Sequence, residues 1–143
     1  MADQLKNTVP IALVTGSAGG IGQAIVKELI TEGFFVIAHY FSNTKKTQNF
    51  RQKMEKVTSN ILFLQADLRI EIEVNQMFQT IREKFKKIDV LINNAAIINS
   101  KDESLETISS EEMHNMINTN FFGSFFVTKK SLILLKKSSR GRV

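Results

Sequence analysis

The stretch LVTGSAGGIGQAIVKEL, from Leu13 to Leu29, concentrates glycine where an apolar run gives way to a helix-like pattern. Glycine is costly to order, so the cluster needs a cause. A strand, a glycine turn and a helix N-terminus together make an anion site. The first N–H groups of a helix lack partners within it, and its dipole adds partial positive charge there. A pyrophosphate satisfies both, provided no side chain blocks its approach. Gly16 would make the turn, and Gly20 and Gly22 would allow close approach and close helix–strand packing. The spacing is T-G-x-x-x-G-x-G, from Thr15 to Gly22. It does not follow G-x-G-x-x-G, and no Gly-Lys-Ser/Thr follows as in a Walker loop. An ordinary glycine-rich turn is the competing reading.

The rest of the chain alternates short apolar runs with helical patterns. Ile11–Val14 reads as a buried strand. Ile21, Ala24, Ile25 and Leu29 recur at helical spacing, and Gly33 ends that helix. Phe34–Tyr40 is a second strand. Thr44–Val57 is a polar helix with Phe50, Met54 and Val57 on one face. Ile61–Leu64 is a third strand. Ile70, Val74, Met77, Phe78, Ile81 and Phe85 give the cleanest helix. Val90–Ile92 is a short fourth strand, and Ile97–Thr107 is loop-like. Ser109 with Glu112 fits a capping box. A long helix then carries Met113, Met116, Ile117, Phe121, Val127, Leu132 and Leu135, to about Lys136. Such alternation predicts an α/β fold: a doubly wound parallel sheet with helices on both faces.

Composition narrows the function. Hydrophobic residues make up 43% and charged residues 23%, as in ordinary globular chains. There is no cysteine, hence no disulfide framework or thiolate chemistry, which fits a reducing, cytoplasmic setting. MADQLKNTVP lacks the apolar core of a secretory signal, and no run of about 18 apolar residues predicts a membrane span. The net charge of +5 gathers late, at Lys129, Lys130, Lys136, Lys137, Arg140 and Arg142. That reads as a solvated helix face; no aromatics interleave with it as in a single-strand binder, so nucleic acid is not expected as a partner. His39, ending an apolar strand, reads as a packed or half-exposed histidine rather than a ligand. His114 has no second histidine at ligand spacing, so no metal is assigned.

Taken with the glycine motif, three further segments carry a family resemblance. Asp67 and Leu68 follow the third strand. "DVLINNAA", Asp89–Ala96, is similar to D-x-L-V-N-N-A-G, with Ala96 in place of the final glycine. "NTNFFGSFFVTK" resembles a helix carrying N-x-x-G, with Asn120 and Gly123 on its two fixed positions. The chain resembles the short-chain dehydrogenase/reductase family over essentially its whole length. The resemblance implies a Rossmann-type sheet ordered 3-2-1-4. It implies hydride transfer between a nicotinamide and a carbonyl or alcohol. It implies cofactor contacts from Thr15, Gly16, Ser17, Gly20, Ile21, Gly22, Asp67, Leu68, Asn93, Asn94 and Ala95, with Asp67 near the adenine. Tyr40, Ser42 and Asn43 fall at the adenosine end. Asn120 falls on the asparagine of a catalytic tetrad.

The rest of that tetrad is a serine, a tyrosine and a lysine four residues after the tyrosine. A phenol of pKa about 10 needs an adjacent cation to work near neutrality. Here the single tyrosine is Tyr40, with Thr44 four residues on. The chain stops at "RGRV", which looks like the opening of a fifth strand. Residues 1–143 are therefore expected to be the N-terminal, cofactor-binding part of one NAD(P)-binding domain, inactive alone, with the catalytic part beyond. A non-catalytic dinucleotide-binding or regulatory module is the alternative.

NADP(H) is favoured over NAD(H). No Asp or Glu stands between Ile37 and Lys46 to bind a ribose 2′-OH and repel a 2′-phosphate. Ser42, Asn43, Thr44 and Lys45 could bind that phosphate instead. Against this, Gly19 stands where NADP-preferring members often carry Arg or Lys. The long helix is apolar on several sides, which predicts a homo-oligomer.

Overall fold

Ile11–Val14 (β1) is buried along its whole length, and the structure is laid out around it. The computed structural model describes residues 9–98 and 104–143. The N-terminal segment through Thr8 and part of the Ile97–Thr107 loop, read from sequence alone, lie outside those residues. β1 pairs with Phe35–Tyr40 (β2) on one side and with Val90–Ile92 (β4) on the other. Ile61–Gln65 (β3) pairs with β2. All pairings are parallel, giving the order β3-β2-β1-β4. The expected 3-2-1-4 sheet is therefore present. Phe34 falls just outside β2, and β3 runs one residue further than the apolar run, to Gln65.

The strand period sorts side chains to two faces. Val14, Val36, Ala38, Tyr40 and Phe63 pack with Val26 of Gly20–Thr31 (α1) and with Phe50 and Met54 of Lys45–Val57 (α2). Ile11, Leu13, Ile37 and Leu91 pack with Val74, Met77, Phe78 and Ile81 of Glu71–Lys84 (α3). Val127, Leu134 and Leu135 of Ser124–Leu135 (α5) complete that second core. This is the doubly wound arrangement, and it places a topological switch between β1 and β4. Among the described residues no helix is long and apolar enough to cross a membrane.

Asp89 ties the opposite end of the sheet. Its carboxylate accepts from the Ile11 N–H at 2.8 Å, from Lys87 Nζ at 2.7 Å and from the Ser138 hydroxyl. Burial opposes its ionisation, but the bonds from Lys87, Ser138 and Ile11 outweigh it and hold the pKa below the usual carboxylate range. Arg142 makes an isolated parallel bridge to Val90 at the outer side of β4.

Several expectations change. Val57 does not share the buried face of Phe50 and Met54; it is exposed, at the last turn of α2. Ile70 is exposed because it is the N-cap of α3 rather than part of its stripe. The long helix is not one α-helix. Ser110–Ile117 (α4), opened by the Ser109–Glu112 capping box, runs into a π-helical turn at Asn118–Gly123 before α5. That turn shifts the register, so Phe121 and Leu132 face outward while Gly123, Val127 and Ser131 face the core.

Candidate functional site

A cleft of about 730 Å³ opens at the C-terminal ends of the strands. Gly16, Gly19, Gly20, Ile21 and Gly22 form one wall. Gly16 has φ +64°, and a Cβ there would come within 2.8 Å of the Ala95 backbone. Gly22 lies so close beneath the turn that a Cβ would reach 2.2 Å from the Gly16 oxygen. A Cβ on Gly20 would meet nothing within 4 Å. Gly19, the N-cap of α1, has no side chain to cap the helix, and the first turn holds no acidic residue. The start of α1 thus offers its N–H groups and positive dipole end to the cleft.

The turn is braced from the β4 side. Asn94 donates from Nδ2 to the Thr15 oxygen at 2.9 Å and the Gly16 oxygen at 3.1 Å. The Thr15 hydroxyl accepts from the N–H groups of Asn94 and Ala95, both at 3.0 Å. Thr15 is buried and does not line the cleft. Ser17 is also fully buried; its N–H donates to the His39 carbonyl, and its hydroxyl has no partner among the described residues.

One end of the cleft is built from the loops after β2 and β3. Tyr40, Ser42, Thr44 and Lys46 line it, with Asp67, Leu68 and Arg69 opposite. Asn43 does not; its carbonyl accepts from Gln48 Nε2. Thr44 caps α2, its hydroxyl accepting from the Thr47 N–H at 3.2 Å. Arg69 bonds both oxygens of Asp67, at 2.6 to 3.1 Å, and this pairing lowers the Asp67 pKa. Arg69 also donates to Asn115 Oδ1 of α4 at 3.0 Å and lies 5.4 Å from the Phe41 ring centre. One guanidinium therefore joins the Asp67 loop to the helix leading to Asn120.

At the far end, Ala95, Ala96, Ile97, Ile98 and Thr119 border the cleft. Asn120, in the π-helical turn, grips the Ile97 backbone rather than lining the cleft. Asn93 turns away and donates to the Thr128 hydroxyl at 2.9 Å. The packing of α4–α5 against the loop after β3 is close: a Cβ on Gly123 would sit 3.0 Å from Leu68 Cβ.

Sequence reasoning did not single out Arg69 or Thr119, and it read His39 only as a packed or half-exposed residue. His39 is 1% exposed, as a packed residue should be. Its ring also accepts from the Gly16 N–H at 3.2 Å through Nδ1 and bonds the Ala66 carbonyl at 2.9 Å through Nε2. The signal was a polar residue in an otherwise apolar strand, which must find partners when buried.

A parallel sheet with an uncapped, glycine-fronted helix at its switch point defines a dinucleotide-binding class of fold. Residues 10–143 match the short chain dehydrogenase family, and the chain belongs to it. General stress protein 39 of Bacillus subtilis is 31% identical over 138 residues, covering 96% of this chain and 47% of that protein. The 3-oxoacyl-[acyl-carrier-protein] reductase of Synechocystis is 32% identical over 136 residues, covering 95% and 54%. A carbonyl reductase from chicken fatty liver, solved with NADPH bound, superposes with TM-score 0.83 at 23% identity, over 92% of this chain and 50% of that one. The last comparison bears on fold alone. The chain spans about half the length of the curated relatives it matches.

Proposed function

We propose that this chain is the N-terminal, dinucleotide-holding part of an NAD(P)-dependent oxidoreductase acting on a carbonyl or alcohol substrate. The observation that carries it is the phosphate cradle. Gly20 borders open space that a side chain would fill, at the uncapped start of a 12-residue helix, in a cleft of suitable size for a cofactor. Gly20, Ile21 and Gly22 would hold the pyrophosphate there. Asp67 and Leu68 would border the adenine, and Ala95 to Ile98 the nicotinamide end. Bound nicotinamide supplies the hydride chemistry. Asn120 contributes by fixing Ile97 at the cleft edge.

NADP(H) is the favoured cofactor. Ser42 and Lys46 border the adenosine end, beside the start of α2, whose first turn carries no acid. A 2′-phosphate there meets a cation and a helix N-terminus rather than a carboxylate. The proton donor lies outside what this chain offers, because its single tyrosine, Tyr40, is buried at the adenosine end without a lysine four residues on. Exposed Phe121, Phe125 and Ile133 along the π-helical turn and α5 support assembly through that helix.

Competitive binding of NADPH and NADH to the 143-residue chain tests this reading. Binding of both with NADPH tighter is expected. A tenfold preference for NADH, about 1.4 kcal/mol, overturns the cofactor assignment, and binding of neither overturns the function.

A further inference from the structure

The phosphate-loop turn is held from two sides, and only one side is neutral at every pH. Asn94 holds the Gly16 carbonyl from β4. His39 holds the Gly16 N–H from β2, while its own carbonyl accepts from the Ser17 N–H at 2.9 Å. An N–H can point only at a lone pair, so Nδ1 is unprotonated, and Nε2 carries the proton that it donates to the Ala66 carbonyl. Ala66 directly precedes Asp67. One buried ring thus joins the glycine turn to the loop at the adenine end.

We propose that His39 is a positioning residue for the dinucleotide site, holding the Gly16 turn in its binding shape through the neutral Nε2–H form of its ring. This rests on the proposed dinucleotide reading. A proton added at Nδ1 would set one donor against another. The Thr15–Gly16 peptide that carries the Gly16 N–H cannot turn away freely, because its carbonyl, that of Thr15, accepts from Asn94 Nδ2 at 2.9 Å. The following carbonyl, that of Gly16, is held by Asn94 and by the Gly19 N–H, each at 3.1 Å. The turn must shift as a unit, and α1 begins four residues later.

The surroundings favour the neutral ring. The segments Thr15–Ile21 and Asn93–Ile98 contain no charged residue. On β2 the ring's neighbour is Tyr40. The charge facing it comes from Asp67, which is already bonded to Arg69 and whose N–H is taken by the Glu73 carboxylate at 2.7 Å. Burial pushes the His39 pKa down, outweighing the opposing Ala66 bond and the Asp67 charge. The ring is therefore neutral near neutral pH and gains its proton only in more acidic solution.

The test has a ligand-free arm and a ligand arm, both on the 143-residue chain. In the first, nitrogen-detected NMR of the ring gives the tautomer, and the Gly16 amide is followed through a pH titration. The Nε2–H form is expected, with the Gly16 amide moving at the pH where the ring titrates. An Nδ1–H ring, or a Gly16 amide indifferent to its titration, overturns the proposal. In the second, NADP+ affinity is measured between about pH 8 and about pH 5 for the wild type and His39→Asn. Asparagine keeps an acceptor near the Nδ1 position and cannot ionise. With each profile taken relative to its own value at the upper end, wild-type affinity is expected to fall more than that of H39N, by up to about tenfold per pH unit below the point where the NMR arm finds the ring titrating. The ligand's own phosphate titrates equally in both, so coincident profiles overturn the proposal. Absence of NADP+ binding to the wild type at the upper pH instead removes the cofactor reading, and the NMR arm still decides the role of His39.

Discussion

Asn120 closes a ring on the backbone of Ile97: its Oδ1 accepts from the Ile97 N–H and its Nδ2 donates to the Ile97 carbonyl, both at 2.9 Å. The pair ties the π-helical turn to the segment after β4. Asn120→Asp keeps the shape but turns the donor into a second acceptor facing a carbonyl. Loss of about 1 kcal/mol of stability is expected at neutral pH, read from urea denaturation. The loss should shrink below about pH 4, where the new carboxyl gains a proton to donate.

Asp89 predicts the acid limb of the stability curve. Its folded pKa is depressed, so its contribution is complete above the unfolded value of about 3.9 and is lost as pH falls through the folded pKa. Asp89→Asn should cost about 2 kcal/mol at neutral pH, since an amide cannot accept from Lys87, Ser138 and Ile11 together. Denaturation curves at a series of pH values should show the variant and wild type converging as the solution is acidified through that range. A gap that stays constant to low pH contradicts the assignment.

The sheet was readable because each strand is a short apolar run bounded by polar or glycine residues, and period 2 needs no further information. The helical faces were less readable where burial falls on small residues. The core stripe of the last helix passes through Gly123 and Ser131, which carry no hydropathic signal, while Phe121 and Leu132 do and lie outside. The π-helical turn added a register shift that a fixed 3.6-residue period cannot anticipate. At the site, Thr15, Asn93, Asn94 and Asn120 stood out by motif. A motif marks a position and not the direction of a side chain, and these four brace backbone or neighbouring side chains. Arg69 was missed because its partners, Asp67 and Asn115, meet only when α4 packs over the loop after β3.

Self-association is expected through the outward face of the π-helical turn and α5. Phe121, Phe125 and Ile133 are each more than half exposed. Replacing Phe125 and Ile133 together by serine should change unfolding free energy little, within about 0.5 kcal/mol per site, because neither is in the core. Sedimentation equilibrium should show weaker association in the variant. A wild-type chain that remains monomeric at micromolar concentration rules the interface out.

Hydride transfer by the 143-residue chain itself should be very slow. Loss of general acid catalysis costs about a hundred- to ten-thousandfold, and imperfect placement of reacting atoms costs on the order of a hundredfold more. The assay is NADPH oxidation with a panel of aldehydes and ketones, on chain shown to be folded. Turnover near one per second, within the ordinary enzyme range of about 1–1000 per second, would reveal a proton donor other than tyrosine.

Two glycines of the phosphate loop should separate in mutagenesis. Gly20→Val should leave the fold intact, because its Cβ enters open space, and should abolish dinucleotide binding. Gly22→Ala should destabilise by about 3 kcal/mol or more, because a Cβ 2.2 Å from the Gly16 oxygen forces backbone to move. Thermal denaturation and NADP+ titration of both variants check this, and a Gly20→Val chain that binds as well as wild type refutes the cradle.

That contrast between open and crowded space gives neighbouring positions separate histories. On the proposed reading, a descendant without a dinucleotide can let Gly20 drift to larger residues and still fold, whereas Gly22 stays fixed for as long as α1 lies against the Gly16–Ser17 turn. Among diverged copies of such a chain, the first position registers whether the ligand is still used, and the second registers only that the architecture survives.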